Sequence, residues 1–146
     1  MFGIFPIDGL VEINDELVLP CSIIVGGFVE TLHIPVSYWS FEDYKTSWMK
    51  SLEYGIEKNK YSALAVTMYE PELTNFIFTW VLYFCGDIVY VQNKILFLDE
   101  YPGFNPGNIN NFISSREIYS EEGVKISEWK TDLKSVVAFY NSLKGC

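Results

Sequence analysis

The sequence contains a single histidine, His33, among its 146 residues. Acid–base and nucleophilic catalysis usually depend on a side chain that titrates near pH 7, and His33 lies in the middle of a predicted strand. A lone histidine in a strand is more often structural than catalytic. The sequence therefore predicts a protein that is not an enzyme, and catalysis by His33 with a nearby carboxylate is a third-ranked hypothesis.

Metal-ligating and phosphate-binding motifs are also lacking. Cys21, Cys85 and Cys146 have no CxxC spacing, and an odd number of cysteines at wide intervals does not fit the disulfide framework of a small secreted domain. Neither GxxxxGK[ST] nor GxGxxG occurs. Glycoside hydrolysis uses two carboxylates that face one substrate. Acids that are adjacent in sequence, such as Asp99 and Glu100, normally point apart and are more typical of solvated surface. We therefore expect no metal, no cofactor and a reducing compartment.

Long apolar runs and a recognisable export signal are missing as well. The most apolar segment, Phe76 to Cys85, has about half the length that a membrane helix needs. The start, MFGIFPIDGL, has no basic region and only a short apolar stretch before Pro6 and Asp8. The sequence therefore predicts a soluble, cytoplasmic protein that does not bind a membrane.

Positive charge is scarce, since ten Lys and Arg stand against nineteen Asp and Glu and leave a formal charge of −9. The acids are distributed along the whole chain. A field of this sign repels the phosphate backbone of nucleic acids and speeds the encounter with a basic surface. We therefore expect no nucleic-acid partner. The charge indicates either a basic protein partner or a role in solubility alone.

Apolar residues are abundant, at 49% of the chain with 17% aromatic, so the composition is that of a folded protein. The length is that of one domain, expected to span residues 1–146. Alternating apolar residues predict strands joined by tight turns. The predicted hairpin turns are Asn14-Asp15, Gly26-Gly27 and Gly86-Asp87, and further strands are expected in YSALAVTMY and near Val124 to Trp129.

Helical periodicity occurs in two segments. The first runs from Phe41 to Glu57, with Ser40 and Asp43 placed for a capping box, and the second from about Asp132 to Leu143, with Thr131 as its expected cap. The predicted class is α+β, with an antiparallel sheet of about six strands packed by the first helix and the C-terminal helix closing an edge or end. A strongly curved half-barrel is the alternative architecture.

The aromatic residues fall into two groups. Those around the start of the first helix are expected in the core, because such rings bury large areas. They are Tyr38, Trp39, Phe41, Tyr44 and Trp48. Tyr101 and Phe104 lie instead in a long loop rich in Gly, Pro and Asn, from Asp99 to Ser115. Aromatic rings are enriched among interface anchors, so burial and partner binding are equally expected for these two.

Four segments closely resemble immunity proteins of bacterial contact-dependent growth inhibition (CDI) systems, and the likeness extends from about Met1 to Phe139. The segments are SYWSFEDYKTSW (Ser37 to Trp48), NFIFTWVLY (Asn75 to Tyr83), VYVQNKILFL (Val89 to Leu98) and EEGVKISEW (Glu121 to Trp129). Members of this family are small cytosolic proteins that bind and block the C-terminal toxin domain of a cognate effector, commonly a nuclease. The resemblance implies such a toxin domain, expected to be a basic nuclease, as partner.

The resemblance identifies no toxin-contacting residue, so the candidates come from charge and loop position. Glu70 and Glu72 flank the Pro71 turn between two strands expected to be central, and the long loop leaves the strand paired with one of them. Both segments are expected at the same end or flank of the sheet. The predicted toxin-binding residues are Glu70, Glu72, Asp99, Glu100, Tyr101 and Phe104. The alternative function is small-ligand binding in an aromatic concavity between helix and sheet.

Overall fold

The computed structural model describes residues 1–70 and 72–145, so the predicted turn at Pro71 and the residue Cys146 lie outside the described residues. The described residues contain eight strands and two α-helices, which confirms the α+β class. The strands are β1 (Phe2–Pro6), β2 (Val11–Ile13), β3 (Glu16–Val25), β4 (Phe28–Pro35), β5 (Tyr61–Ala65), β6 (Phe76–Cys85), β7 (Ile88–Phe97) and β8 (Trp129–Asp132), and the helices are α1 (Phe41–Lys58) and α2 (Leu133–Lys144).

The strands form two antiparallel sheets of four, where about six strands in one sheet were expected. In the first sheet, β4 lies along one side of β3, while β1 and β2 share the other side. In the second sheet the order is β5-β6-β7-β8. The sequence did not indicate β1, because FGIFP shows no regular alternation. Within residues 1–70 and 72–145 the strands do not form a continuous half-barrel, since β4 and β5 belong to different sheets.

The three predicted hairpins are confirmed. Their turns need left-handed backbone angles, which Gly adopts freely and Asn and Asp tolerate. Asn14 and Asp15 have φ of 51° and 63°, Gly26 has 60° and Gly86 has 63°. These turns set the register of β2 with β3, β3 with β4 and β6 with β7.

Helix α1 begins and ends nearly where the sequence predicts. The Asp43 backbone N–H donates to Ser40 Oγ at 3.2 Å, and the Ser40 N–H donates to Asp43 Oδ2 at 2.9 Å, which completes the capping box. At the other end, Gly55 allows β5 to approach closely, because a Cβ there would lie 2.9 Å from the Tyr61 carbonyl oxygen. The helix can therefore pack directly on β5.

The aromatic residues near α1 are buried to different extents. Tyr44 and Trp48 are fully buried, and Trp39 and Phe41 are half-buried. Tyr38 is 49% exposed, so its assignment to the core was wrong, because it precedes the helix and lies outside its buried stripe. The Tyr44 hydroxyl donates to the Pro35 carbonyl oxygen at 2.6 Å and accepts from the Met68 N–H at 2.8 Å. Tyr44 thus connects the end of the first sheet to the segment after β5.

The C-terminal elements begin a few residues later than expected. The last strand, β8, starts at Trp129, where the predicted strand ended, and pairs with β7. The cap of α2 is Asp132 and not the predicted Thr131, because the helix begins at Leu133. The Ser135 N–H donates to Asp132 Oδ1 at 2.7 Å. Among the described residues, no helix is long and apolar enough to cross a membrane.

The segment between β7 and β8 covers one face of the second sheet. It includes 3₁₀ turns at Leu98–Glu100 and Pro106–Phe112. From the sheet, the Tyr83 hydroxyl donates to the Ser114 carbonyl oxygen at 3.3 Å, and Gln92 Nε2 donates to the Glu117 carbonyl oxygen at 2.9 Å. Side chains alternate along a strand, so every second residue of β6 and β7 points to the opposite face. On that face pack α1, α2 and the first sheet.

Candidate functional site

The two segments that carry the predicted acids lie together at one end of β6 and β7. The Leu98 N–H donates to the Asn75 carbonyl oxygen at 2.7 Å, and the Asp99 N–H donates to Asn75 Oδ1 at 3.1 Å. The antiparallel pairing of β6 with β7 brings these segments together. Four exposed acids lie on the two segments: Glu70, Glu72, Asp99 and Glu100. We call this group the acidic edge.

The turn of the first hairpin adjoins the acidic edge through Tyr69. The Tyr69 hydroxyl donates to Glu16 Oε1 at 3.1 Å, and Glu16 follows the Asn14-Asp15 turn directly. Partial burial together with the Glu16 carboxylate raises the pKa of Tyr69 to about 12, so the phenol stays neutral and keeps donating. The start of β3 is therefore held against the segment that leads into Glu70.

The two predicted loop aromatics, Tyr101 and Phe104, are half-buried. Their ring centroids lie 5.5 Å and 5.0 Å from that of Phe112, because the Pro106–Phe112 turns bring this ring back onto them. Each ring thus keeps only part of its surface exposed. They belong to the segment that covers the sheet face bearing Tyr83 and Gln92.

An exposed apolar surface lies on the other face of the same end of β6 and β7. Phe76 pairs with Phe97 and Phe78 with Ile95, and these four side chains are 37%, 43%, 42% and 46% exposed in that order. We call these residues the apolar ridge. Here the pairing of β5 with β6 stops at Thr79 and that of β8 with β7 stops at Val91.

Side-chain alternation along β6 places Phe76 and Phe78 in one row, on the same face as Trp80, Leu82 and Phe84. Only the last three of these are buried. Strand periodicity shows which side chains share a face, but it does not show how far the covering elements extend. The exposed part of the row is therefore the feature that the sequence analysis missed.

A groove of about 620 Å³ continues from the ridge between β4 and the second sheet. Glu30, Leu32 and His33 of β4 line one side of it, and Phe78 and Ile95 line the other, with the buried Trp80 between them. His33 is exposed, and no carboxylate in the described part of the chain hydrogen-bonds to it. The pairing that would favour a catalytic role for this histidine is thus not formed here.

The expected concavity between α1 and the sheet is filled by protein side chains. Trp48 and Leu52 are fully buried there, and Trp48 Nε1–H donates to the Ala65 carbonyl oxygen at 2.8 Å. A separate groove of about 460 Å³ lies between α1 and the Pro106–Phe112 turns and is lined largely by polar residues. No group of three potential metal-ligating residues occurs within residues 1–70 and 72–145.

An exposed apolar ridge bordered by acids is typical of protein-binding domains. A family model described as the CdiI N-terminal domain matches residues 34–139. The curated protein "Immunity protein CdiI" of Enterobacter cloacae subsp. cloacae is 57% identical over 143 residues, which cover 98% of this chain and 99% of that protein. The chain therefore belongs to the CdiI immunity protein family, and the resemblance seen in the sequence is confirmed.

A solved structure shows the same fold. It is described as the CdiA-CT/CdiI toxin and immunity complex from Enterobacter cloacae. The matched chain has 56% sequence identity and a TM-score of 0.97, and the match covers 100% of both chains. The two chains therefore share one fold over their whole length.

Proposed function

We propose that this protein neutralises the C-terminal toxin domain of a cognate CdiA effector by binding it one to one in the cytoplasm. The observation that carries the proposal is the likeness, over the full length of both chains, to a chain from a toxin and immunity complex. Stoichiometric binding needs a complementary surface and no reacting group. The protein would therefore act as an inhibitor that turns nothing over.

The character of the toxin follows from charge. A nuclease must hold a phosphate backbone, so its cleft is rich in Lys and Arg. The chain has a formal charge of −9, and four exposed acids lie together at the acidic edge. A basic nuclease is thus the toxin that this surface fits best, and carboxylates lying over its cleft would exclude the nucleic-acid substrate.

The proposed contacts are the six residues predicted from sequence. Glu70, Glu72, Asp99 and Glu100 would meet basic side chains of the toxin, and Tyr101 and Phe104 would contribute the exposed parts of their rings. The two hydrogen bonds to Asn75 support this grouping, because they hold both acidic segments at one end of the sheet. Contacts of this kind form the polar rim around an apolar interface centre.

The cytoplasmic location is supported by the thiols. Cys21 is buried and Cys85 exposed, and neither is in a disulfide within the described residues. Burial raises the pKa of the Cys21 thiol to about 11, so it stays protonated and unreactive.

Co-expression tests the proposal. Cells that produce the toxin domain encoded next to this chain should grow when the chain is present and die when it is absent. A CDI immunity protein from an unrelated locus serves as the control and should give no protection. Purified toxin and immunity protein should elute together at a one-to-one mass. Death of cells that hold both proteins, or protection without a complex, would overturn the proposal.

A further inference from the structure

The apolar ridge is not accounted for by the packing of the chain on itself. Four large apolar side chains, Phe76, Phe78, Ile95 and Phe97, are each more than a third exposed and are adjacent in two cross-strand pairs. Single exposed apolar residues are ordinary, whereas a contiguous group on one face usually marks a binding surface. Leu73, at 79% exposed, precedes the ridge in the turn before β6.

The shape of the surface suits an inserted side chain or segment. The groove beside the ridge has Phe78 and Ile95 on one side, Leu32 on the other, and Trp80 between them. Trp80 is held in place by its neighbours, since its ring centroid lies 5.5 Å from that of Trp129. The groove is lined by these apolar side chains together with polar ones such as Glu30, His33 and Lys94. Its apolar part, next to exposed rings, resembles the centre of an interface, where hot-spot residues concentrate.

Charge distinguishes between the two possible kinds of occupant. The acidic edge adjoins the ridge, because Asn75, which binds the Asp99 N–H, is the residue before Phe76. A second copy of this chain would bring a second set of acids and another −9 charge against the first. A basic partner would instead place Lys and Arg on the acidic edge while its apolar side chains enter the groove.

We infer that the apolar ridge and its groove are the docking centre for the toxin domain, with the acidic edge as its rim. This inference rests on the proposed function and adds to it the face of the sheet on which the toxin lies. The complementary toxin surface has protruding apolar side chains surrounded by Lys or Arg. Phe78 and Ile95 provide most of the apolar contact, since they belong to both the ridge and the groove.

The test replaces Phe78→Ser and Ile95→Ser together and measures affinity for the purified cognate toxin domain by calorimetry. Loss of two anchoring contacts should weaken binding by about 30-fold or more. The matched control is Ile88→Ser, which lies at the other end of β7 and is 42% exposed, as Phe78 is. The control should bind as the unmodified protein does, and thermal unfolding should show that both variants are folded.

Each outcome supports or overturns the inference. Unchanged affinity in the folded double variant would overturn the docking centre while leaving the immunity function intact. If the unmodified protein fails to bind its toxin, the proposed function itself fails. Light scattering of the protein alone tests self-association, and a dimer that the double variant converts to monomer would assign the ridge to a second copy. Should Phe78→Ser/Ile95→Ser unfold, Ile95→Glu alone must show the same loss of affinity.

Discussion

The Arg116 guanidinium holds the Glu128 carboxylate with two hydrogen bonds, from Nε to Oε2 at 2.7 Å and from Nη2 to Oε1 at 2.6 Å. The same guanidinium lies 3.8 Å from the centre of the Tyr90 ring. Glu128 Oε2 also accepts from Gln92 Nε2 at 2.7 Å, and Gln92 is fully buried in the sheet. This network attaches the segment 116–128 to β7 at both of its ends.

Replacing Glu128→Gln should destabilise the protein by about 1 to 3 kcal/mol at neutral pH, because it removes a charge-assisted pair and disturbs Gln92. The hydrogen bond from Arg116 lowers the pKa of Glu128 below its ordinary value of 4.5. The stabilisation is therefore complete above that ordinary value and is lost as the pH falls through the lowered pKa. Urea unfolding of both proteins between about pH 7 and pH 3 measures this.

The difference in unfolding free energy between the unmodified protein and Glu128→Gln should shrink as the pH is lowered. Glu121→Gln, on an exposed side chain of the same segment, is the control and should leave stability unchanged. A constant difference at every pH would show that the ion pair does not contribute.

Replacing Trp48→Ala should lower the free energy of unfolding by roughly 3 to 5 kcal/mol. The ring is fully buried, and its Nε1–H bond to the Ala65 carbonyl oxygen would also be lost. Trp39→Ala, at a half-buried position, should cost less. Chemical denaturation gives the numbers. A folded Trp48→Ala protein that no longer bound toxin would move this residue from the core to the interface.

Replacing Asp99, Glu100, Tyr101 and Phe104 by Ala together should weaken toxin binding by at least about tenfold, since truncating a good interface contact can cost about 2 kcal/mol. The control is the pair Glu53→Ala and Glu57→Ala on the exposed face of α1, a rival acidic surface. Affinity and thermal stability should be measured on the same samples. A change in affinity for the α1 pair alone would place the toxin on that helix.

Association with the toxin should slow as salt is added, because exposed charges are screened beyond about 8 Å at physiological ionic strength. The acidic edge is exposed and so is subject to this screening. Stopped-flow mixing across a salt series measures the rate. A rate that does not depend on salt would mean that the −9 charge serves solubility alone.

Features determined by neighbouring residues were predictable from the sequence. Ser40 and Asp43 set the start of α1, and Asn14-Asp15 and Gly86-Asp87 set two hairpin turns. The grouping of the acidic edge at one end of the sheet was predictable too, because Glu72 precedes β6 and Asp99 follows its partner β7.

Features that depend on distant parts of the chain were not predictable. The Ala63 N–H on β5 donates to Asn110 Oδ1 at 2.8 Å, across 47 residues, and no pattern near Asn110 indicates this partner. The sharing of one side of β3 by β1 and β2 likewise depends on tertiary packing. The exposure of Phe76 and Phe78 depends on how far the elements packed on that face of the sheet extend, so the apolar part of the candidate site required the structure.

Site-specific photocrosslinking tests the central claim most directly. Benzoylphenylalanine in place of Phe78 should crosslink to the cognate toxin domain on irradiation, because this ring would lie at the interface centre. The same group in place of Ile88, equally exposed at the far end of β7, should not crosslink. Crosslinking from Ile88 but not from Phe78, in a complex that still forms, would contradict the account.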